Sequence, residues 1–237
     1  MASRQEEKEQ RRKERLEREE AERRAAGRRK RLQYVFGGLL ALAAVAGIVA
    51  VLALGVLGGD DSSGPGNPKS ASNASGVKLP EQKNGDMKAA AAAAGCKLAN
   101  PPIEGSTHET KDFKASDYKT NPPTSGNHNP VWYEDGIYAP GDTPKLGMLV
   151  HTLEHGRIDV QYKEGTSADD VSKLEAFLGE TDGYHMLLFQ NTTGMDAALA
   201  ATAWGHSLTC TAINDSTWDA LRTFRTTYID KGPESVP

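Results

Sequence analysis

Residues 149–162, LVHTLEHGRIDVQY, combine a group of polar side chains with an alternating apolar pattern. This stretch places two histidines and a glutamate within five residues: His151, Glu154 and His155. Gly156 follows, and the next apolar residues alternate as they do in a buried strand. Imidazole and carboxylate groups bind metal ions and move protons. The stretch therefore predicts a polar site beside a buried strand.

Two conformations of residues 146–156 bring the histidines together. In a helix, His151 and His155 are four positions apart and share one face, with Cβ atoms about 5–6 Å apart. In the other arrangement, residues 146–150 form a strand and residues 152–156 form a loop. We expect the second, because the strand pattern resumes soon after the glycine. The spelling His-x-x-Glu-His also occurs in inverted zinc proteases, but that motif requires a long helix.

Residues 34–57 predict a transmembrane helix. They are 24 residues without a formal charge, which gives about 36 Å of helix for a hydrocarbon core of about 30 Å. Residues 1–31 carry 13 Lys or Arg and 8 Glu, a net charge of +5. The positive-inside rule therefore places residues 1–33 in the cytoplasm and the rest outside. We expect a single-pass protein of the cell membrane, with the lipid bilayer as one partner.

Residues 58–83 predict a flexible linker, because Gly, Ser, Asn and Pro dominate and no apolar periodicity is present. Residues 84–237 are long enough for one extracytoplasmic domain with its own core. From residue 58 onward there are 15 basic and 24 acidic side chains, a net charge of −9. This acidic balance, and a basic tail without interleaved aromatic residues, argue against a nucleic-acid partner.

The pattern of the outer domain predicts an α+β fold. Capping residues precede three helical patterns: Asn84 or Asp86, Ser167, and Asp215 or Ser216. Strand patterns cover residues 184–190 and 199–212, and the second contains a bend at residues 204–206. Strands and helices mix without a repeating βαβ order. We therefore expect a mostly antiparallel sheet with two or three flanking helices.

The chain contains two cysteines, Cys96 and Cys210. In an extracytoplasmic domain, a single pair is best interpreted as one structural disulfide. A redox pair and a metal site are the alternatives. No Cys-x-x-Cys spacing supports either of them.

Residues 118–142 predict a long irregular loop, because prolines and turn-forming residues dominate. Aromatic residues such as Trp132 and Tyr138 are available to anchor it. A loop of this length in a compact domain is either functional or disordered, and the aromatic residues favour function. His128, at its centre, is the third candidate ligand.

Four segments carry a resemblance to a known family: NPPTSGNHNPVW, LVHTLEHGRIDVQY, TAWGHSLTC and KGPE. Together they resemble the "domain of unknown function 3105" family, mostly bacterial membrane-anchored proteins, over about residues 84–237. The resemblance implies that His128, His151, Glu154 and His155 belong to one site, and less directly that His206 does. It implies no particular activity.

The candidate ligands suit zinc or copper, which imidazole nitrogens bind well. We expect His128, His151 and His155 to bind the metal, with His206 as a further ligand and Glu154 as a base or as a group that orients one ring. His108 is interpreted as an exposed loop residue and His185 as a strand residue. A buried polar network without metal is the alternative for the same side chains.

Two classes of function follow. The first is a ligand- or metal-binding accessory module of the cell envelope, with envelope proteins as partners. The second is a metal-dependent extracytoplasmic enzyme, hydrolase-like, that uses Glu154 as a base beside a metal-bound water. The sequence has neither a nucleophile elbow nor a glycine-rich phosphate loop after a strand.

Overall fold

A six-stranded sheet forms the centre of the computed structural model, which describes residues 68–71 and 76–234. The strands in chain order are β1 Cys96–Ala99, β2 Gly136–Ile137, β3 Ile158–Tyr162, β4 Met186–Gln190, β5 Leu199–Ala203 and β6 His206–Cys210. Their order across the sheet is β1-β6-β5-β3-β4-β2. The strand pairing places β3, which continues the 149–162 stretch, in the interior of the sheet.

The sheet is mixed, so the expectation of a mostly antiparallel sheet was wrong. Antiparallel pairing joins β1 to β6, β6 to β5 and β5 to β3. Parallel pairing joins β3 to β4 and β4 to β2. A parallel neighbour requires a crossover connection, and the helix Ala168–Gly179 lies between β3 and β4 in the chain. The α+β class itself is confirmed.

The described residues form four α-helices, where the sequence predicted two or three flanking ones. They are α1 Met87–Ala94, α2 Leu146–Glu154, α3 Ala168–Gly179 and α4 Thr217–Tyr228. Two predicted caps are present, because the Asp86 side chain accepts from Ala89 N and the Ser167 side chain accepts from Asp170 N. Ser216 precedes α4 without a capping side-chain hydrogen bond.

Helix α2 is the additional helix, and it corrects the predicted strand and loop. Seven of its nine residues are buried, so its apolar residues do not mark one face of a strand. They belong to a helix that is covered on most sides. The helix ends at Glu154, and Gly156 with φ of +80° turns the chain into β3. A side chain is strained at this φ, which explains a glycine here.

The two faces of β3 meet different surroundings. Ile158, Val160 and Tyr162 join the large apolar core together with residues of α1, α3 and α4. Asp159 lies on the opposite face, where the Thr152 hydroxyl of α2 donates to its Oδ1 at 3.0 Å. A smaller apolar cluster on that face contains Tyr138, Leu149, Leu187 and Phe189. Helix α2 therefore packs on the face that carries a buried carboxyl group.

Part of the predicted linker contacts the domain. Lys69 exchanges backbone hydrogen bonds with Ile137 of β2, and Ala71 is buried in the large core. The predicted cytoplasmic tail and the transmembrane helix at 34–57 lie outside the described residues. Among the residues that are described, no helix combines the length and the apolar character needed to cross a membrane.

Cys96 and Cys210 form a disulfide between β1 and β6, in which they are directly paired residues. They are separated by 114 positions in the sequence. The bond therefore ties the start of the domain to the last strand of the sheet, and residues 97–209 lie in its loop.

Loss of this disulfide is expected to destabilise the domain. Closing a loop of about a hundred residues is worth up to about 4.7 kcal/mol in the chain-entropy account. Replacement of both cysteines by serine should lower the melting temperature measured by circular dichroism, and a reductant should lower it only in the unmodified chain. An unchanged melting temperature in both tests would contradict a stabilising role for the bond.

Candidate metal centre

Three histidines and one glutamate converge beside helix α2. One ligand atom from each of His108, His128, His151 and Glu154 lies within 4.8 Å of the others. His128 and His151 are 0% and 2% exposed, and Glu154 is 4% exposed. His108 keeps 42% of its side chain exposed. Three of the four side chains are thus buried, and the group reaches solvent at His108.

Two chain segments and one helix bring these side chains together. His108 and His128 lie on neighbouring extended segments that form a parallel bridge. Glu109 N donates to His128 O at 2.7 Å, and His128 N donates to Thr107 O at 3.1 Å. His151 and Glu154 are three positions apart on α2 and therefore share one face of the helix.

Asn129 joins all three segments. Its backbone N–H donates to Gly147 O of α2 at 3.1 Å. Its side-chain amide donates to Glu109 O at 3.1 Å and to Lys111 O at 2.8 Å. A Cβ atom on Gly147 would overlap the Asn129 amide and the Phe113 ring, so only glycine allows this close approach.

Backbone carbonyls fix the tautomers of two histidines. His128 Nδ1 lies 2.8 Å from Gly126 O, and His151 Nδ1 lies 2.7 Å from Asn129 O. A carbonyl oxygen only accepts hydrogen bonds, so each Nδ1 carries the hydrogen. The Nε2 atom of each neutral ring then has a free lone pair. This is the usual arrangement around metal-binding histidines, whose other nitrogen donates to a carbonyl or a carboxylate.

One contact in the group pairs two acceptors. His128 Nε2 lies 2.9 Å from Glu154 Oε2. Both atoms are buried, and neither has a hydrogen-bond partner among the described residues. Because Nδ1 already holds the hydrogen of the neutral ring, the two atoms repel each other unless a second proton or a cation lies between them. Buried polar atoms without partners are rare in proteins, and this pair requires an explanation.

Burial keeps His151 neutral. Desolvation lowers the pKa of its imidazole to about 4, despite the hydrogen bond to Asn129, and the neighbouring histidine rings add to the effect. The pKa of His155 is also lowered, first by burial and then by Arg157. Neutral imidazole is the form that binds metal ions. At pH 7 His151 and His155 are therefore in the binding form.

His155 lies next to this group, in a second one. It is the residue directly after α2, and its ring centroid is 4.4 Å from that of His151. Its Nε2 lies 3.4 Å from Glu234 Oε2, and the ligand atoms of His151, His155 and Glu234 lie within 4.8 Å of one another. Trp132 packs edge-on against both rings, at centroid distances of 5.5 and 4.6 Å.

His206, which the sequence predicted as a further ligand, lies outside both groups of candidate ligands that the described residues form. Its Nδ1 contacts Asn100 Oδ1 at 2.7 Å and its ring stacks on Tyr228. It occupies the start of β6, where its strand partner is Ala203 of β5. His185 pairs with Asp230 and also lies outside the group.

Two members of the site, His108 and Glu234, are not among the ligands predicted from the sequence. His108 occurs in a segment without periodicity, and no local pattern distinguished it from an exposed loop residue. Its pairing with His128 depends on backbone hydrogen bonds between distant segments. Glu234 belongs to the KGPE segment, so the family resemblance contained a signal for it.

The neutral state of buried His151 predicts an acid-sensitive domain. In the unfolded chain its pKa is about 6.5, whereas in the folded domain it is about 4. Between these values the unfolded state binds more protons, so stability falls as the pH is lowered from 6.5 to 4, by up to about 3 kcal/mol.

Urea unfolding of the metal-free chain at pH 7 and pH 4.5 measures this loss. The variant His151→Gln should lose less stability on acidification than the unmodified chain. Equal losses in the two proteins would show that His151 is not the group responsible.

Comparison with known proteins identifies the family to which this chain belongs. Neither the curated proteins nor the solved structures contain a significant match to this chain. A protein family does match it, over residues 109–236, more than half of the chain. The match includes His128, His151, Glu154, His155 and Glu234, and it begins directly after His108. The chain therefore belongs to the family described as "Protein of unknown function (DUF3105)".

Proposed function

We propose that this domain binds one zinc or copper(II) ion through His108, His128, His151 and Glu154. The observation that carries the proposal is the contact between His128 Nε2 and Glu154 Oε2, two buried acceptors 2.9 Å apart. A divalent cation bound by both atoms turns their repulsion into two metal–ligand bonds. The same cation is within reach of the free Nε2 of His151.

The ligand types support a transition metal. Three imidazoles and one carboxylate are the nitrogen and oxygen ligands that zinc and copper(II) accept, whereas calcium and magnesium prefer oxygen ligands alone. Neutral rings and one carboxylate give the ligand set a charge of −1, which partly balances a divalent ion. The carbonyls of Gly126 and Asn129 hold the rings from behind, which favours binding because the ligands are already oriented.

A buried ion pair is the competing explanation for the same geometry. If His128 takes a second proton, its Nε2–H donates to Glu154 and the pair becomes an imidazolium and a carboxylate. Metal and proton then compete for the same position. The ion-pair account makes the cluster a structural network, and the two accounts differ in how added metal affects stability.

A hydrolase is less well supported by this arrangement. As a base beside a metal-bound water, Glu154 would need to lie outside the ligand set. Its Oε2 instead lies within the group, 2.9 Å from His128 and 3.5 Å from His108. Four protein ligands are typical of closed sites, whereas catalytic sites keep a position open for water or substrate. We therefore propose binding rather than catalysis.

The proposed setting is the outer face of a cell membrane. Its support is the uncharged segment 34–57 with the basic residues before it. A disulfide in the domain agrees with an oxidising compartment. In this setting the domain is an accessory module of the envelope that holds a metal ion away from the cytoplasm, and envelope proteins are its expected partners.

Metal binding predicts a selective gain in stability. Zinc or copper(II) at about 100 times its dissociation constant should stabilise the folded chain by about 2.7 kcal/mol, seen as a rise in melting temperature. His128→Gln and Glu154→Gln should each remove at least half of the rise. His206→Gln is the matched control and should keep it, because His206 lies outside the group. Absence of any rise in the unmodified chain would favour the ion-pair network.

The proposed topology has its own test. Protease added to intact cells should digest the residues after 58 and spare a tag at the N-terminus, because the basic flank of the segment 34–57 remains in the cytoplasm. Loss of the tag with the domain left intact would reverse the orientation.

A further inference from the structure

We infer that His151, His155 and Glu234 form a second metal position that overlaps the first and cannot be filled together with it. This inference rests on the proposed metal site, and it adds to that site a second ligand set through which the ion exchanges with solvent. For clarity, the inner set is His108, His128, His151 and Glu154, and the outer set is His151, His155 and Glu234.

The outer set contains an imidazole ring whose two nitrogen atoms are poorly satisfied by hydrogen bonds. The His155 side chain is 2% exposed, and its Nδ1 is buried without a hydrogen-bond partner among the described residues. Its Nε2 faces the Glu234 carboxylate at 3.4 Å, which is too long for a good hydrogen bond. The ring is thus enclosed next to a carboxylate, yet neither of its two nitrogen atoms makes a good hydrogen bond.

The backbone fixes Glu234 at this place. After α4 the chain folds back over the end of α2, where Asp230 N donates to Gly156 O at 2.9 Å and Glu234 N donates to Glu154 O at 3.1 Å. Gly232 lies against Glu154 O so closely that no Cβ atom would fit. The position of Glu234 is therefore set by main-chain packing and not by its own flexible side chain.

His151 makes the two positions mutually exclusive. Its Nδ1 is engaged with Asn129 O, so only its Nε2 can bind a metal ion. The lone pair of that nitrogen serves one ion at a time. One chain therefore holds one ion, in the inner or in the outer set, and an ion that moves between them keeps its bond to His151.

The outer set contains a ligand that is open to solvent. The Glu234 side chain is 48% exposed, so an ion can be captured there directly from solvent. In the inner set, by contrast, His128 and Glu154 are both buried. It also has one more ligand than the outer set, so we expect it to bind more tightly. The inner set also reaches solvent, through the 42% exposed side chain of His108, so the outer set is a second, weaker position from which an ion can pass to the inner one.

The test is a zinc titration of the purified full chain against a chromophoric chelator. The unmodified chain should bind one zinc ion. The variant His128→Gln/Glu154→Gln, which lacks two inner ligands, should still bind one zinc ion at least tenfold more weakly. Adding Glu234→Gln to that variant should weaken the residual binding at least tenfold more, because the outer set loses its only carboxylate. Adding Glu164→Gln instead is the matched control and should change nothing, since Glu164 is an exposed residue of the turn after β3.

Four results would overturn the inference, and they are distinguishable from one another. Two tightly bound zinc ions in the unmodified chain would contradict mutual exclusion. Residual binding that does not depend on Glu234, or no residual binding in the double variant while the unmodified chain binds zinc, would contradict the outer set alone. No zinc binding in the unmodified chain would refute the proposed function together with this inference.

A circular dichroism spectrum matching that of the unmodified chain is required of each variant. The single change His128→Gln replaces the double change if the latter does not fold.

Discussion

The candidate site depends on the docking of one loop onto helix α2 through Asn129. The backbone of Asn129 holds the loop against Gly147, and its amide holds the neighbouring segment at Glu109 and Lys111. Its carbonyl accepts from His151 and so sets which nitrogen of that ring faces the ligands. A long proline-rich loop is costly to order. Here a few hydrogen bonds from a single residue both order the loop and orient a ligand.

The second constraint on the site is the orientation of helix α2 about its own axis, which determines the residues that face the sheet. Thr152 points to the sheet and donates to Asp159, whose pKa burial raises well above the usual range of a carboxyl group. Neighbouring buried amides continue this polar layer, since Asn191 donates to Gln161. With Thr152 facing the sheet, His151 and Glu154 face the docked loop. The polar layer and the ligand set therefore depend on the same helix orientation.

The sequence predicted those parts of the site that are close together in the chain. His151, Glu154 and His155 lie within five residues, so their proximity followed from either a helix or a loop. The helix itself was misjudged, because periodicity does not separate a strand from a short helix that is buried on most sides. The parallel pairing of β3 and β4 was also missed, although the helical pattern between them is the kind of crossover that parallel strands require.

Contacts between distant segments could not be read from local patterns. His108 and His128 meet through a bridge between two irregular segments, and Glu234 reaches His155 because the C-terminal residues pack on Gly156. His206 had the right residue type but stacks on Tyr228 instead. Residue type and spacing thus identified a polar site, whereas the packing of the loops determines which residues belong to it.

The proposed function requires a metal ion, and not a proton, between His128 and Glu154. Diffraction from zinc-soaked crystals of the protein, collected on both sides of the zinc absorption edge, tests it most directly. We expect one anomalous peak at about 2.0–2.2 Å from His128 Nε2, His151 Nε2 and a Glu154 oxygen. A structure without such a peak in the inner or the outer set, in which His128 and Glu154 contact each other directly, would contradict it.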